Sequence, residues 1–274
     1  MGFVELMPVM LSTTTDPLGP DPRSSVIKTP EIEYLGQKLV LTQSMILHKQ
    51  IAIGLGLKKF YIVSPNIRLE SPNKGKSGRH LFEFSQIDFE IEQAKMRDVM
   101  KLVEKLFTGL IKHIRKVCKD ELEVWKRKLK IPKPPFKVFT THELKEKFGK
   151  DWEEKASEKE KDLFWVIDHK REFYDKEDPS KPGHFLNYDL IYPEGFCEAL
   201  SGAEREWEYE KIIERIKRDG LRIEKYKPFV ELAKRGLLKP SAGAGFGVER
   251  LTRYLVGAKH IKEVQLFPRV PGEK

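Results

Sequence analysis

The sequence predicts an α+β fold built on an antiparallel sheet with helices to one side. Three observations carry this reading. Strand-like stretches at 58–70 and 80–92 follow each other with only a loop between them, which suits antiparallel pairing, because parallel strands need a long crossover. Residues 96–123 then place apolar side chains at helical spacing over a long segment. Further on, FLNYDLIYPEGFCEAL reads as a second hairpin followed by a helix, so strands and helices come in runs and do not alternate. At 274 residues and 39% hydrophobic content the chain can bury a sizeable core. One domain over 1–274 is expected.

Taken in order, residues 3–11 read as a strand ending at Pro8. Residues 12–30 read as loop, because Pro, Gly, Asp, Ser and Thr dominate there. KLVLTQ (38–43) is a strand, and SMILHKQIAIGLG (44–56) a helix that Ser44 caps and Gly56 ends. The strands at 58–70 and 80–92 come next, joined by a basic loop expected to be mobile, and then the amphipathic helix at 96–123. KIPKPPFKVF breaks the chain before another strand, and residues 141–180 read as a small charged insertion of helix and loop. The helix after the second hairpin closes at Gly220, and AGAGFGVERLTRYLVG is a Gly-rich strand feeding a helix. No internal repeat is found.

The net charge is +9, with 34% charged residues. A basic excess fits an anionic ligand or nucleic acid, but Lys and Glu alternate here as on a solvated surface, a pattern also common in heat-stable proteins. Nucleic acid is therefore not an expected partner on charge alone. Cys118 and Cys197 stand far apart and fit no metal spacing. A reducing compartment, the cytoplasm, is expected, and no apolar run is long enough for a membrane span.

The stretch NIRLESPNKGKSGRHLFEFSQIDFE (66–90) carries the chemistry. Side chains alternate across a strand, so Tyr61, Val63, Ile67 and Leu69 share one face with Ile87, Phe89 and Ile91. Ser64, Asn66, Arg68 and Glu70 share the other with Phe84, Gln86, Asp88 and Glu90. A solvent-exposed face would explain polar residues. It would not explain Phe84 among them, nor short acids and amides beside an Arg where the helices carry Lys and Glu. Such a face suits a ligand with a ring, phosphates and an amine. The loop SPNKGKSGRH could fold over a polyphosphate, and the glycines of SAGAGFGVER (241–250) allow close backbone approach before Arg250 at a helix start. Taken singly, a surface loop or tight strand packing explains either piece.

Together these pieces resemble the catalytic core of the class II aminoacyl-tRNA synthetases. FVELMPVML resembles the end of that family's first motif, which builds a dimer interface; NIRLE…RHLFEF resembles the second motif and GAGFGVERL the third. LTQSMILHKQ, EALSGAERE and QLFPRVPG resemble segments of the aspartyl/asparaginyl subgroup. The resemblance implies a six- or seven-stranded antiparallel sheet flanked by helices, a homodimer, and ATP and Mg²⁺ as cofactors. It implies that Arg68 grips the α-phosphate and the reacting carboxylate and that Glu70 accepts from the adenine amine. Phe84 and Arg250 would sandwich the adenine, with Arg250 and His80 reaching the outer phosphates, and Glu198 and Ser201 would hold Mg²⁺. Ser44, Lys49, Gln86, Asp88 and Arg205 would bind the amino acid, with Lys49 and Arg205 selecting aspartate over asparagine. Without the resemblance, Lys49 reads as a surface lysine on an amphipathic helix.

Two departures shape the expected activity. The residues before the first motif leave no room for the anticodon-binding barrel of the subgroup, a domain of about a hundred residues. In the amino-acid helix, QSMI puts Met45 and Ile46 where the subgroup has Pro and Gln, and that Gln helps orient the substrate for activation at its α-carboxylate. The chain resembles most closely the archaeal asparagine synthetases descended from this subgroup. The implied reaction joins aspartate, ATP and free ammonia to give asparagine, AMP and pyrophosphate through a β-aspartyl-adenylate. The alternative is a truncated aspartyl/asparaginyl-tRNA synthetase paralogue that aminoacylates or modifies RNA. A regulatory or structural descendant would have no reason to keep Arg68, Glu70 and Arg250.

Overall fold

The computed structural model describes residues 1–16, 18 and 26–273. Part of the 12–30 loop, residues 17 and 19–25, lies outside the described residues. Eight strands make the main sheet: β1 (Val4–Leu6), β2 (Lys59–Ile67), β3 (Glu83–Glu92), β4 (Lys137–Thr140), β5 (Phe164–Ile167), β6 (Asn187–Tyr192), β7 (Cys197–Glu204) and β8 (Ser241–Gly247). Their spatial order is β1-β2-β3-β8-β7-β6-β5-β4. The inner pairs are antiparallel, as expected from the two hairpins, but both edges are parallel: β1 runs beside β2, and β4 beside β5. The sheet is therefore mixed, the edge strands being added by crossovers.

Among the described residues eight α-helices flank it: α1 (Ile46–Gly54), α2 (Met96–Val117), α3 (Lys119–Val124), α4 (Thr141–Phe148), α5 (Trp152–Lys159), α6 (Tyr209–Arg218), α7 (Lys227–Lys234) and α8 (Val248–Val256). The 96–123 helix is broken at Cys118, where φ is −115° and ψ 45°. Val99, Val103, Phe107 and Ile111, four apart, are fully buried and pack against the face of β2 and β3 that carries Tyr61, Ile87, Phe89 and Ile91. The opposite face divides in two. Phe60 and Ile62 lie under α1 with Met45 and Ile53, while the strand ends beyond them carry the polar row. Ser44 does assist the start of α1, its Oγ accepting from the Ile46 amide at 3.2 Å, and Gly56 sits just past the helix end at φ +105°.

Two expectations are corrected. The loop after Glu70 is a 3₁₀ turn, Pro72–Ser77, and not a loose segment. Gly75 lies against Pro271 and Val270, the Phe82 amide donates to Arg269 O at 2.8 Å, and Leu81 is buried with Ile261 and Val270. The 141–180 stretch is more than helix and loop. It contributes β5, whose Phe164, Trp165 and Val166 are buried on both faces. α4 and α5 pack on β5 and β6 through Leu144, Trp152, Ala156 and Ile191.

One buried carboxylate ties this half to the core. Glu104 on α2 accepts from the Phe136 amide and from Trp165 Nε1, both at 3.0 Å. Glu104→Ala strands both donors and is expected to cost about 1–3 kcal/mol. In thermal unfolding that is a drop of roughly 2–4 °C per kcal/mol, whereas Glu104→Gln, which keeps an acceptor, should lose less. Equal loss in the two variants would rule out the hydrogen bonds as the cause.

Candidate active site

Of the polar row of β2 and β3, Arg68, Glu70, Phe84, Gln86 and Asp88 line adjoining cavities, while Ser64, Asn66 and Glu90 are wholly buried behind them. Register places Ser64 opposite Gln86, Asn66 opposite Phe84, and Ile62 opposite Asp88. The Asn66 amide donates to Gln86 Oε1 at 2.9 Å. The third wall is β7, where alternation alone would put Glu198 and Ser201 on opposite faces, since they are three apart. A bulge resolves this. Leu190 pairs with Leu200 but Ile191 pairs with Glu198, so Ala199 is the extra residue. Glu198 and Ser201 consequently line the same small cavity of about 130 Å³, together with Ser44, Lys49, Arg68 and Arg205. An outer chamber of about 340 Å³ continues from it, sharing Arg68 and Glu198 and adding Glu70, Arg79, His80 and Arg250.

The inner cavity ends in a buried knot of charge. Lys49, 1% exposed, is no surface lysine: its Nζ donates to Asp88 Oδ1 at 2.9 Å and lies 3.7 Å from Glu90 Oε2. It also reaches the carbonyls of Phe89 and Ala244 at 3.4 and 3.3 Å. Arg205 donates through Nε to Glu90 at 3.0 Å and through Nη1 to Asp175 at 3.2 Å. Burial raises the pKa of Asp175, and the neighbouring Arg205 works against that. The other carboxylate oxygen of Asp88 is buried without a partner and belongs to the cavity wall.

The outer chamber gathers cations. Arg68 donates through Nε to Gln43 O at 2.9 Å, and its guanidinium stands 5.3 Å over the Phe84 ring. Arg250, in the first turn of α8, bonds Glu198 at 3.2 Å and Arg79 O at 3.3 Å. Phe84 and Arg250 both border a narrow slot that also holds Glu70, Leu81 and Gly247. Here it is Arg68, and not Arg250, that covers the aromatic ring. Arg79 pairs with Glu153 at 2.5 Å. His80 bonds Ser77 Oγ through Nδ1 at 2.6 Å. Its pKa is pushed down to about 2, first by burial and then by Arg250, Arg79, Lys74 and Arg68.

All the site residues named from sequence are thus brought to one surface. Sequence reading missed the wall supplied by the segment after β5. Arg171 pairs with Asp189 at 2.7 Å, Tyr174 donates to Asp16 at 3.0 Å, and Asp175 braces Arg205. Arg171, Glu172, Tyr174 and Asp175 all line the inner cavity. No spacing in this charged stretch marks them. The available signal was Arg205, a fully buried cation that needs acidic company.

Comparison with known proteins follows the same lines. A family model described as tRNA synthetases class II (D, K and N) matches residues 1–271. The asparagine–tRNA ligase of Pyrococcus abyssi is 32% identical over 261 residues, covering 88% of this chain and 59% of that protein. The aspartate–tRNA(Asp/Asn) ligase of Methanothermobacter thermautotrophicus is 33% identical over 254 residues, covering 87% and 57%. The crystal structure of asparaginyl-tRNA synthetase from Pyrococcus horikoshii complexed with asparaginyl-adenylate superposes with a TM-score of 0.86 at 28% identity, over 100% of this chain and 64% of that one. The chain spans about three fifths of the length of these relatives. It belongs to the class II tRNA synthetases of the D, K and N group.

Proposed function

We propose that the chain is an ATP-dependent ligase that activates aspartate as an aspartyl-adenylate, releasing pyrophosphate. The observation that carries this is a cavity whose closed end keeps donors that a carboxylate can claim, the two long Lys49 bonds to backbone carbonyls and one N–H of Arg205, and whose open end holds Arg68, His80 and Arg250. An amino acid with a side-chain carboxylate fits the closed end, its ammonium toward the unpartnered oxygen of Asp88, with Gln86 and Ser44 beside it. Arg68 lies where the two chambers meet and would grip both the reacting carboxylate and the α-phosphate as a planar fork. Glu70 would accept from the adenine amine in the slot between Phe84 and Arg250. Burial and the neighbouring Arg250, Arg79, Lys74 and Arg68 disfavour a charge on His80, so it would contact the outer phosphates as a hydrogen-bonding group and leave the charge to the arginines. Catalysis is then positioning and charge stabilisation.

The bulge that brings Glu198 and Ser201 together offers a carboxylate and a hydroxyl, oxygen donors that suit Mg²⁺. The ion would neutralise phosphate charge. Glu198 would have to divide itself between the ion and Arg250.

The acceptor of the aspartyl group separates two readings. The named activities of the relatives support a tRNA hydroxyl as acceptor, and this weighs against the reading, drawn from charge, that nucleic acid is not an expected partner. Free ammonia, giving asparagine and AMP, is supported by one local feature. Met45 and Ile46 are buried at the start of α1, in place of the Pro and the substrate-orienting Gln of the subgroup. A homodimer is consistent with the exposed apolar residues near edge strand β1, Val4, Met7 and Met10.

Aspartate should drive exchange of pyrophosphate into ATP, and Lys49→Leu should lower it by roughly a hundredfold or more, because it leaves the buried Asp88 without its cation while Glu90 keeps only Arg205. Exchange with asparagine in place of aspartate would transfer the site to the amide. Adding ammonium or tRNA singly, and looking for asparagine or aminoacyl-tRNA, distinguishes the acceptors. A second expectation concerns acid. His80 has an ordinary value of 6.5 and a native one of about 2, so above pH about 6.5 both states are neutral, while below it only the unfolded chain takes the proton. Stability should fall as pH drops through that window. In urea unfolding, His80→Gln should lose less between about pH 6.5 and about 4 than the parent; parallel pH curves would refute the assignment.

A further inference from the structure

Away from the cavity, three side chains from three segments converge at the end of β5. His142 Nε2 lies 3.5 Å from Asp168 Oδ2, His184 Nδ1 contacts the same oxygen, and the two rings are 5.2 Å apart. The donor atoms all lie within 4.8 Å of one another. We propose that His142, Asp168 and His184 form a Zn²⁺ site that staples shut the segment carrying Arg171–Asp175. This inference does not depend on the proposed reaction.

The placement is built by the backbone. Thr141 Oγ1 donates to Ile167 O at 3.0 Å, which sets the following residues, His142 and Asp168, side by side. α4 is itself fixed by a reciprocal cap between Thr140 and Glu143. Asp168 takes a left-handed conformation, φ +69°, uncommon for a residue with a side chain. It turns out of the sheet there, and its Oδ1 accepts from the Phe185 amide at 3.1 Å, leaving Oδ2 to the imidazoles. That is the pattern of a metal-binding carboxylate oriented by an outer hydrogen bond. His184 is held by a turn in which its amide donates to Lys181 O and its carbonyl accepts from Asp178.

Two imidazole nitrogens and one carboxylate oxygen suit zinc, with water as fourth ligand. Bonds of about 2.0–2.1 Å put tetrahedral ligand atoms about 3.3 Å apart, so the Asp168–His184 contact must open to admit the ion, the 3.5 Å between His142 and Asp168 already fits, and the two imidazole nitrogens, within 4.8 Å, have only to draw together. His142 is 68% exposed on its side chain and free to rotate inward, whereas Asp168 is 11% exposed and fixed. The consequence reaches the cavity. Asp168 and His184 are the two ends of one segment, and between them lie Arg171, Glu172, Tyr174 and Asp175, which line the cavity wall. An ion joining the ends to α4 would restrict the opening of that wall.

The test uses the full chain without a polyhistidine tag, stripped with EDTA and then equilibrated with Zn²⁺ in the presence of excess Mg²⁺. One Zn²⁺ per chain is expected by metal analysis after dialysis, with a rise in the unfolding temperature. His142→Ala and His184→Ala should each weaken binding by at least roughly tenfold and lose the thermal shift. The exposed position of His142 makes its variant a fair measure of binding and not of folding. If neither variant changes the zinc content, or if the parent holds none, the site is refuted.

Discussion

The structure depends on burying five charges at one point. Lys49 comes from α1, Asp88 and Glu90 from β3, Arg205 from the end of β7, and Asp175 from the segment after β5; all are 4% exposed or less. Burying such groups costs several kcal/mol each unless their partners are in place, and removing one partner costs about 3–5 kcal/mol. The knot therefore acts less as a source of stability than as a constraint on register. A slip of one residue in β3 would turn Asp88 and Glu90 to the apolar face, under α2. β8 answers the same constraint. Gly243 and Gly245 stand opposite Glu90 and Asp88 in register, and a Cβ at Gly243 would overlap Glu90 Oε2 and Phe89 O. The glycines seen in the sequence as possible ligand contacts thus serve first to make room for the protein's own carboxylates.

From this constraint the division of the sheet follows. One face can be wholly apolar, because α2 lies along it with a residue every fourth position buried. The other must hold both a core and a site. α1 resolves this by lying across β2 and β3, giving Met45 and Ile53 to Phe60 and Ile62 while sending Lys49 inward to the carboxylates. Beyond α1, the same strand faces carry Arg68, Phe84 and Gln86 to the cavity.

The fold class and the two hairpin strands were legible because their period of two is uninterrupted, and α2 because its apolar spacing is regular. β5 was not. It offers only the run Phe164–Ile167, apolar on both faces, inside a stretch whose Lys and Glu dominate any window. The parallel edges were hidden too, since β1 and β4 are short and their pairing is set by distant crossovers. In the site, the polar row on β2 and β3 followed from alternation. The resemblance supplied Lys49, Arg205, Glu198 and Ser201, which local pattern would have misplaced. Lys49 looks solvent-facing on a helix wheel, and Glu198 and Ser201 meet only through a bulge that no residue type announces. The wall at 171–175 follows from the knot's demand for a third carboxylate, a long-range requirement that periodicity does not carry.

The same knot sets the terms on which a ligand is chosen. Three carboxylates face two cations, so the closed end of the cavity holds no surplus positive charge. Lys49 already spends its three N–H donors on Asp88 and on the carbonyls of Phe89 and Ala244, the latter two at 3.4 and 3.3 Å. Arg205 uses four of the five N–H groups of a guanidinium. A substrate carboxylate would therefore have to take the remaining Arg205 donor and draw Lys49 off its two long carbonyl bonds, which are the weakest in the set. An amide would take the same Arg205 donor with its oxygen. Its NH₂ would share the unpartnered oxygen of Asp88 with the substrate ammonium, leaving Lys49 where it is. Discrimination between acid and amide in such a site would rest on a small movement of one ammonium and not on a field of positive charge.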